Sequence, residues 1–380
     1  RSTPPRTAPS APFPDPDHAS RRTTPRAAPS ASRRTGDGTT RPAPASRRRR
    51  RSRGGPPSRP VAALLGASLL LGAMGCGTPS QPDASDTPGP GEPALQPVPS
   101  YGTEETLEVG TWNLEWFGDT GNGPEDEARQ LERVAHVLDG LEVDLWSVQE
   151  VVDREHFQAL VDRLPGYEGL LADEPAVEGG ADWYRDFAGN EMKVGLLYRP
   201  EVARVDSARV ILSEEDHAFA GRPPVEVRLT LSGEGGGEVL YLVLLHAKAG
   251  PDPEDRVRRA TGAAALKAYL DAVRPDDRVV VAGDFNDDVD VSISSGAASP
   301  YTPFLDDPDD YRFLTAPLSE AGARSTVFWP DVIDHQLATD EAAAGYVAGS
   351  VEALRADAWI PAYGETTSDH FPVVADLRWS

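Results

Sequence analysis

The sequence predicts an α/β fold built on a mixed sheet system. Short apolar, β-branched runs alternate along the chain with longer segments whose apolar residues recur at helical spacing. Several of these runs follow one another closely enough to form hairpins, which disfavours an all-parallel sheet. A third observation bears on function. Val279-Val280-Val281-Ala282 runs straight into Gly283-Asp284-Phe285-Asn286. A buried, unpaired Asp costs several kcal/mol, so a carboxylate at the end of a buried strand must meet a cation, a proton or water. Strand ends are also where α/β folds place their chemistry.

Residues 1–60 are rich in Arg, Pro, Ser, Thr and Ala and cannot bury a core, so they are expected to be disordered. They read as a nucleic-acid-binding arm or as an upstream extension absent from the mature protein. The missing initial Met favours the second. A basic block from Arg47 to Arg53 precedes an apolar run over residues 61–74. That run is short for a membrane-spanning helix, which needs about 20 residues, and fits the core of a secretory signal. Gly75-Cys76-Gly77 follows, and Cys76 is the one Cys of the chain, which excludes an intrachain disulfide. Residues 61–76 resemble a bacterial lipoprotein signal, with Ala73 standing where Leu is usual. The resemblance implies lipidation at Cys76. Ordinary cleavage nearby, or a short buried helix, are the alternatives. Residues 77–104 are Pro-, Ser- and Gly-rich and read as a flexible tether. The expected product is an exported protein, membrane-anchored through Cys76 or otherwise secreted.

Residues 105–380 read as one globular domain, expected to act as a monomer. A strand is predicted over 107–112. A helix over 125–139 places Leu131, Val134, Ala135 and Leu138 on one face, with Gly140 as its stop. A strand over 143–148 and a short helix over 156–164 come next, the helix ended by Pro165-Gly166. Further strands are predicted over 194–198, 208–212, 225–231 and 239–245, the last ending in His246. A long helix over 255–273 turns Val257, Ala260, Ala264, Tyr269 and Leu270 inward. Strands over 279–282, 331–337 and 371–377 complete the domain.

Charge is unevenly spread. Residues 1–76 hold 15 Arg and 3 Asp, which leaves the rest of the chain with 22 basic against 58 acidic groups. A body with that field does not attract a polyanion by its overall charge; a local cationic patch or a bound divalent ion has to offset it.

Polar clusters recur at the strand ends: Thr111-Trp112-Asn113-Leu114-Glu115-Trp116-Phe117, Val148-Gln149-Glu150-Val151, Leu245-His246-Ala247-Lys248, Gly283-Asp284-Phe285-Asn286-Asp287, Ile333-Asp334-His335 and Ser368-Asp369-His370-Phe371-Pro372. In this order they resemble the endonuclease/exonuclease/phosphatase superfamily, in its deoxyribonuclease- and sphingomyelinase-like branch. The resemblance implies a four-layer α/β/β/α sandwich with two mixed, largely antiparallel sheets. It also implies a metal-dependent phosphoesterase.

On that reading Glu150 is the principal metal ligand, helped by Asn113 and Asp369. A hard divalent cation such as Mg²⁺, with Mn²⁺ or Ca²⁺ as alternatives, takes one or two carboxylates and keeps its waters and a phosphate oxygen. Asp284 and Asn286, two apart, would share a face of an extended segment and hold a water in line with phosphorus. An Asx-turn ending the strand is the competing reading. Asp369 and His370 point to opposite sides, so the imidazole must find another acid, and Asp334 is the candidate. His246 and His370 would stabilise charge developing on the phosphorus oxygens. Glu191 lies near the place where pancreatic-type deoxyribonuclease pairs a Glu with the equivalent of His246, one residue out of step. Asp287, Asp288 and Asp290 read as solvated surface or a structural Ca²⁺ site. Trp112, Trp116 and Trp146 read as packing beneath the site rather than as a base-stacking platform.

Three functions fit. An extracellular nuclease, with nucleic acid as partner, comes narrowly first. A sphingomyelinase-like or small-molecule phosphoesterase is second, because a lipid enzyme should expose an apolar loop and Tyr311-Arg312-Phe313-Leu314 is the nearest segment to one. A non-catalytic binding protein on the same fold is third.

Overall fold

The computed structural model describes residues 93–184, 191–232 and 237–378. The Arg-rich segment, the apolar run over 61–74 and Cys76 lie outside the described residues. Within them the strands, in chain order, are β1 (Leu107–Phe117), β2 (Leu145–Val151), β3 (Glu168–Leu171), β4 (Val177–Glu178), β5 (Lys193–Tyr198), β6 (Ala203–Val210) and β7 (Val225–Leu231). They continue with β8 (Glu238–His246), β9 (Val279–Asp284), β10 (Tyr311–Phe313), β11 (Asp334–Thr339), β12 (Glu352–Ala353) and β13 (Val373–Leu377). One sheet runs β12-β13-β1-β2-β5-β3 and the other β10-β11-β9-β8-β7-β6-β4. The pairs β1–β2, β8–β9 and β4–β6 are parallel and the rest antiparallel, so both sheets are mixed.

Alternating apolar residues give each sheet two buried faces. Val109, Leu145, Leu196, Val227, Leu242, Val280 and Ala338 pack between the sheets. The outer face of the first sheet buries Trp112, Trp146 and Val148 against helices α1 (Glu127–Leu141) and α2 (Arg154–Val161). Beyond the short α3 (Gly180–Trp183), the long α4 (Pro253–Val273) covers the outer face of the second sheet, on Val243, Val281 and Leu337. The result is four layers, helix–sheet–sheet–helix.

Local chemistry sets the helix ends. Asp126 and Asp153 cap α1 and α2 by accepting from Arg129 N and His156 N at 3.0 and 2.7 Å. α1 does not stop at Gly140. It runs on to Leu141, and Glu142 takes the left-handed conformation at φ 57°. Gly140 serves close packing instead, since a Cβ there would lie 2.5 Å from Val98. α4 is turned relative to expectation. Arg259, Gly262, Ala263, Leu266 and Leu270 face inward, while Val257 is 59% exposed. A buried ion pair fixes that face, because Arg259 meets Asp287 at 2.7 Å with both side chains fully enclosed.

At the end of the sheets away from β9's terminus, Glu108 is buried beside Asp144, which accepts from Glu108 N at 3.1 Å. Burial, the larger influence, and the Asp144 charge push the Glu108 carboxyl up to about 7. Glu108 Oε2 has no partner unless a proton joins the two acids. A carboxyl raised in the folded state stabilises below its unfolded value, near 4.3, and loses that contribution as pH rises through about 7. Glu108→Gln is therefore expected to raise the melting temperature at pH 8 by a few degrees, with the gain vanishing at pH 4, as thermal melts at the two pH values will show.

Candidate active site

Strand register assembles the site. In the parallel β8–β9 pair His246 stands opposite Asp284, and in the antiparallel β9–β11 pair Asp334 does. One row across the second sheet thus carries all three. The first sheet reaches them through Asn113, whose Nδ2 donates to Asp284 Oδ2 and to Glu150 Oε1, both at 3.0 Å. Below this level Ser147 Oγ donates to the Ala282 carbonyl at 2.8 Å and Gln336 Nε2 to that of Val109 at 2.7 Å. These bonds lock the sheets' relative position directly under the reacting groups.

The backbone is bent to aim the side chains. Register shifts interrupt β1–β2 between Asn113 and Phe117 and β2–β5 between Val148 and Val151. Bulges of this kind re-aim side chains next to active sites. Glu115, Trp116, Glu150 and Asn286 have φ of 53, 51, 59 and 54°. Non-glycine residues in that region cost about 1–3 kcal/mol each and persist only where surroundings over-determine them. Here Glu115 N donates to Asn113 Oδ1 at 3.0 Å, Trp116 N to Glu150 Oε2 at 3.1 Å and Asn286 N to Asp284 Oδ1 at 2.8 Å. The last bond is the Asx-turn. Asp284 and Asn286 are therefore brought together by the turn and not by an extended segment, and Asn286 Nδ2 is held by the Ala247 carbonyl at 3.2 Å.

The two imidazoles differ. His370 Nδ1 is 2.8 Å from Asp334 Oδ2, and its Nε2 lies 3.8 Å from Asp369 and 4.0 Å from Asp284. Burial opposes its charge, but Asp334, Asp284 and Asp369 outweigh it and hold the imidazolium well above its ordinary range. His246 Nε2 lies 3.7 Å from Glu150 and 3.8 Å from Asp284, the spacing of an ion pair. Burial, Arg222 and His370 nevertheless drive its pKa well below the usual value. Full enclosure next to two other basic groups thus disfavours charge on His246. Asp284 is pushed up to about 7, chiefly by burial and by Asp334, against the pull of His370 and Asn113.

The site contains two groups that sequence reasoning did not assign. Glu115 lies beside Asp369 and Glu150, and burial together with those two charges pushes it up to about 7. Its Oε2 is buried without a hydrogen-bond partner. Spacing of two from Asn113 was the available signal. Arg222 is the second. Burial lowers its pKa, while Glu150 and Asp284 favour its charge, and its Nη2 donates to the Ala247 carbonyl at 3.1 Å. It stands in the turn before β7, where no periodicity marks it. Glu191 is not His246's partner. Among the described residues His246 Nδ1 has no hydrogen-bond partner, and the Glu191 carbonyl accepts from Lys193 Nζ at 3.1 Å.

These groups bear on a metal. Glu115, Glu150 and Asp369 bring hard oxygen donors together, and an orphaned buried carboxylate oxygen among like charges is what a divalent cation relieves. The set fits such an ion. Asn113 turns its amide nitrogen to Glu150 and Asp284 and its oxygen to Glu115 N, so here it bridges the acids. Asp284, Asp334 and His370 also converge tightly enough for a metal. The short Asp334–His370 bond makes that trio a proton-holding pair beside a third carboxylate.

The acidic loop is solvated only in part: Asp290 is exposed, as expected, but the two acids before it are not. Asp287 and Asp288 are buried, Asp287 on Arg259 and Asp288 on the N–H groups of Val289 and Val332. Trp112 and Trp146 are core residues, and Trp112 Nε1 donates to the His370 carbonyl at 3.0 Å; Trp116 is half-buried at the site.

A sequence profile of the Endonuclease/Exonuclease/phosphatase family matches residues 110–370. The chain belongs to that family. No curated protein matches it. Among solved structures it is similar to an endonuclease/exonuclease/phosphatase from Bacteroides vulgatus, at 18% identity and TM-score 0.51, covering 72% of this chain and 99% of that one. The human Nocturnin catalytic domain with bound sulfate gives 17% and 0.50, over 72% and 95%. The 3′ phosphatase NExo from Neisseria, bound to a product DNA hairpin, gives 17% and 0.50, over 72% and 100%. At such identities the likeness is one of fold. The family makes the chain a phosphoester hydrolase of a class that generally uses divalent metals.

Asp334→Asn should remove what holds the proton on His370. NMR titration of the imidazole is expected to show the pKa falling toward the ordinary value near 6.5. An imidazolium that persists unchanged in the variant would show that Asp334 is not the cause.

Proposed function

We propose that this chain is an exported, Mg²⁺-dependent phosphodiesterase. The observation that carries the reading is the placement of a buried carboxylate, Asp284, between a charged imidazole and an acid cluster at the end of converging strands. Asp284 accepts a proton from an attacking water and Asn286 helps to orient that water. His370, charged by Asp334, and neutral His246 donate toward oxygens on which negative charge develops. Glu150 and Asp369, with Glu115 beside them, would hold the metal, whose chemistry is to polarise the phosphoryl oxygens. Asn113 ties Glu150 to Asp284, so ligand and base keep one geometry. Arg222 adds fixed positive charge from behind. The intact set disfavours a non-catalytic binding protein.

Two substrate classes suit this chemistry. An extracellular nuclease is supported by the site itself and by a neighbour of the same fold that is bound to a product DNA hairpin. A lipid or sphingomyelinase-like phosphodiesterase is favoured by a different observation. Tyr311 and Phe313 are buried and form no apolar loop, but Phe328 and Trp329 are 62% and 63% exposed near His370. Export and an anchor at Cys76 belong to the same proposal, supported by the sequence of residues 61–76.

The purified protein, offered plasmid DNA, RNA, sphingomyelin and a chromogenic phosphodiester, should turn over at least one with Mg²⁺ and none with chelator. Asp284→Asn should lower turnover about 10²–10⁴-fold. Turnover that survives Glu150→Ala would sink the mechanism. Separately, Cys76→Ser should move the protein from the membrane to the soluble fraction on cell fractionation; unchanged partitioning would remove the anchor.

A further inference from the structure

Phe328 and Trp329 are held in place by the segment before β13 that carries Asp369 and His370. Thr326 pairs with His370 in an antiparallel bridge, Val327 N donates to the Asp369 carbonyl and Phe371 N to that of Ser325, both at 2.7 Å. The two aromatics follow directly. Trp329 N donates to Thr326 Oγ1 at 3.0 Å, which closes the loop, and Arg324 Nη1 caps the Val327 carbonyl at 3.1 Å. A Cβ on Gly364 would lie 3.0 Å from the Phe328 ring, so one edge of that ring has a floor. Across a shared cleft stands the loop that follows Asn286. It contributes Val291, 51% exposed, and the cleft walls include Val291, Ile293 and Pro330. Three large apolar side chains are thus exposed on two loops, one following Asn286 and one paired with the segment that carries His370, which meet at the cleft between Val291 and Pro330.

The charges around them choose the occupant. A platform for single-stranded nucleic acid interleaves aromatics with cations that follow the phosphates. The only basic residue of either loop, Arg324, is engaged on the Val327 carbonyl, and residues 285–298 and 325–333 hold no Lys or Arg but carry Asp290 and Asp331. The domain's excess of acidic groups adds to that repulsion. A lipid surface with no net charge requires no such cations. Exposed Phe and aliphatic residues partition into its boundary, and Trp favours the headgroup level, where phosphodiesters lie. The lipoprotein-like segment at 61–76 and the tether after it suit a domain that works at such a surface.

We propose that Val291, Phe328 and Trp329 seat the active-site edge of the domain on a zwitterionic lipid surface, turning the site toward headgroup phosphodiesters. The proposal rests on the phosphodiesterase reading for its purpose, but its binding step is independent of turnover.

The test uses the full chain carrying Cys76→Ser, so that an anchor contributes nothing, and phosphatidylcholine vesicles with and without sphingomyelin. In co-sedimentation the parent should bind, and Phe328→Ser/Trp329→Ser should reduce the partition coefficient at least about tenfold. Val273→Ser, which removes an exposed apolar side chain at the far end of α4, should stay within about twofold, and matching melting curves confirm that each variant folds. Turnover of vesicle-borne phosphodiester should fall at least about tenfold more than turnover of a soluble one. A parent that ignores vesicles, or a double variant that binds them equally, overturns the proposal. So does loss of oligothymidylate binding in the double variant with no vesicle binding by the parent, which would make the ledge a base platform. Vesicle binding that depends on the pair without any turnover would uphold the ledge and refute the phosphodiesterase reading.

Discussion

The structure depends on keeping one carboxylate, Asp284, buried at the junction of two sheets. A desolvated Asp needs partners, and no single element supplies enough of them. The turn after β9 provides the N–H of Asn286, β1 provides Asn113 from the opposite sheet, β8 provides His246, and the segment before β13 provides His370. Even so, the carboxyl is pushed up to about 7. The residual deficit is positive charge, and that is what the surroundings are built to supply. Cross-sheet bonds from Ser147 and Gln336 matter because a small slide between the sheets would separate Asn113 from Asp284 and leave both unsatisfied.

The same demand accounts for the strained backbone. Four residues of the site itself, Glu115, Trp116, Glu150 and Asn286, lie in the left-handed region, at about 1–3 kcal/mol each, which is costly against a total stability of roughly 5–15 kcal/mol. Three stand where β1 and β2 bulge and the fourth in the turn after β9, and each is pinned by a hydrogen bond to, or from, a side chain of the site. Three apolar layers hold the rest of the strands regular, which confines the distortion to the strand ends. Rigidity below and strain above are two aspects of one arrangement.

Most of the architecture was legible because the strands are apolar on both faces and end in abrupt polar clusters. β9, β8 with His246, and the Asp334–His370 pairing follow from local pattern and from the need of a buried imidazole for an acid. What was not legible depends on partners distant in sequence. The face of α4 could not be read from its periodicity, because a buried Arg259 occupies a position that apolar counting assigns to solvent; Asp287, its partner, was misread for the same reason. Short edge strands such as β4, β10 and β12 have too few residues to show alternation. Arg222 sits in a turn with no period at all. Glu115 was within reach, two residues from Asn113, but a bulge rather than strand alternation decides where it points. Phe328-Trp329 could be seen in the sequence, yet only the pairing of 325–327 with 369–371 brings it to the site.

The contrast between the histidines shows how little is needed to differentiate a site. His246 and His370 stand 3.8 and 4.0 Å from the same oxygen of Asp284, and both are enclosed. Enclosure alone would discharge both. Asp334 reverses the outcome for His370, and a charged His370 then acts, with Arg222, to keep His246 neutral. One carboxylate, placed by the β9–β11 register, therefore sets both protonation states. Two cationic imidazoles beside Arg222 would repel one another; two neutral ones would leave Asp334 without the cation it pairs with. The geometry thus favours a neutral donor and a charged donor on either side of the proton acceptor, a bias set by the fold and not by a substrate.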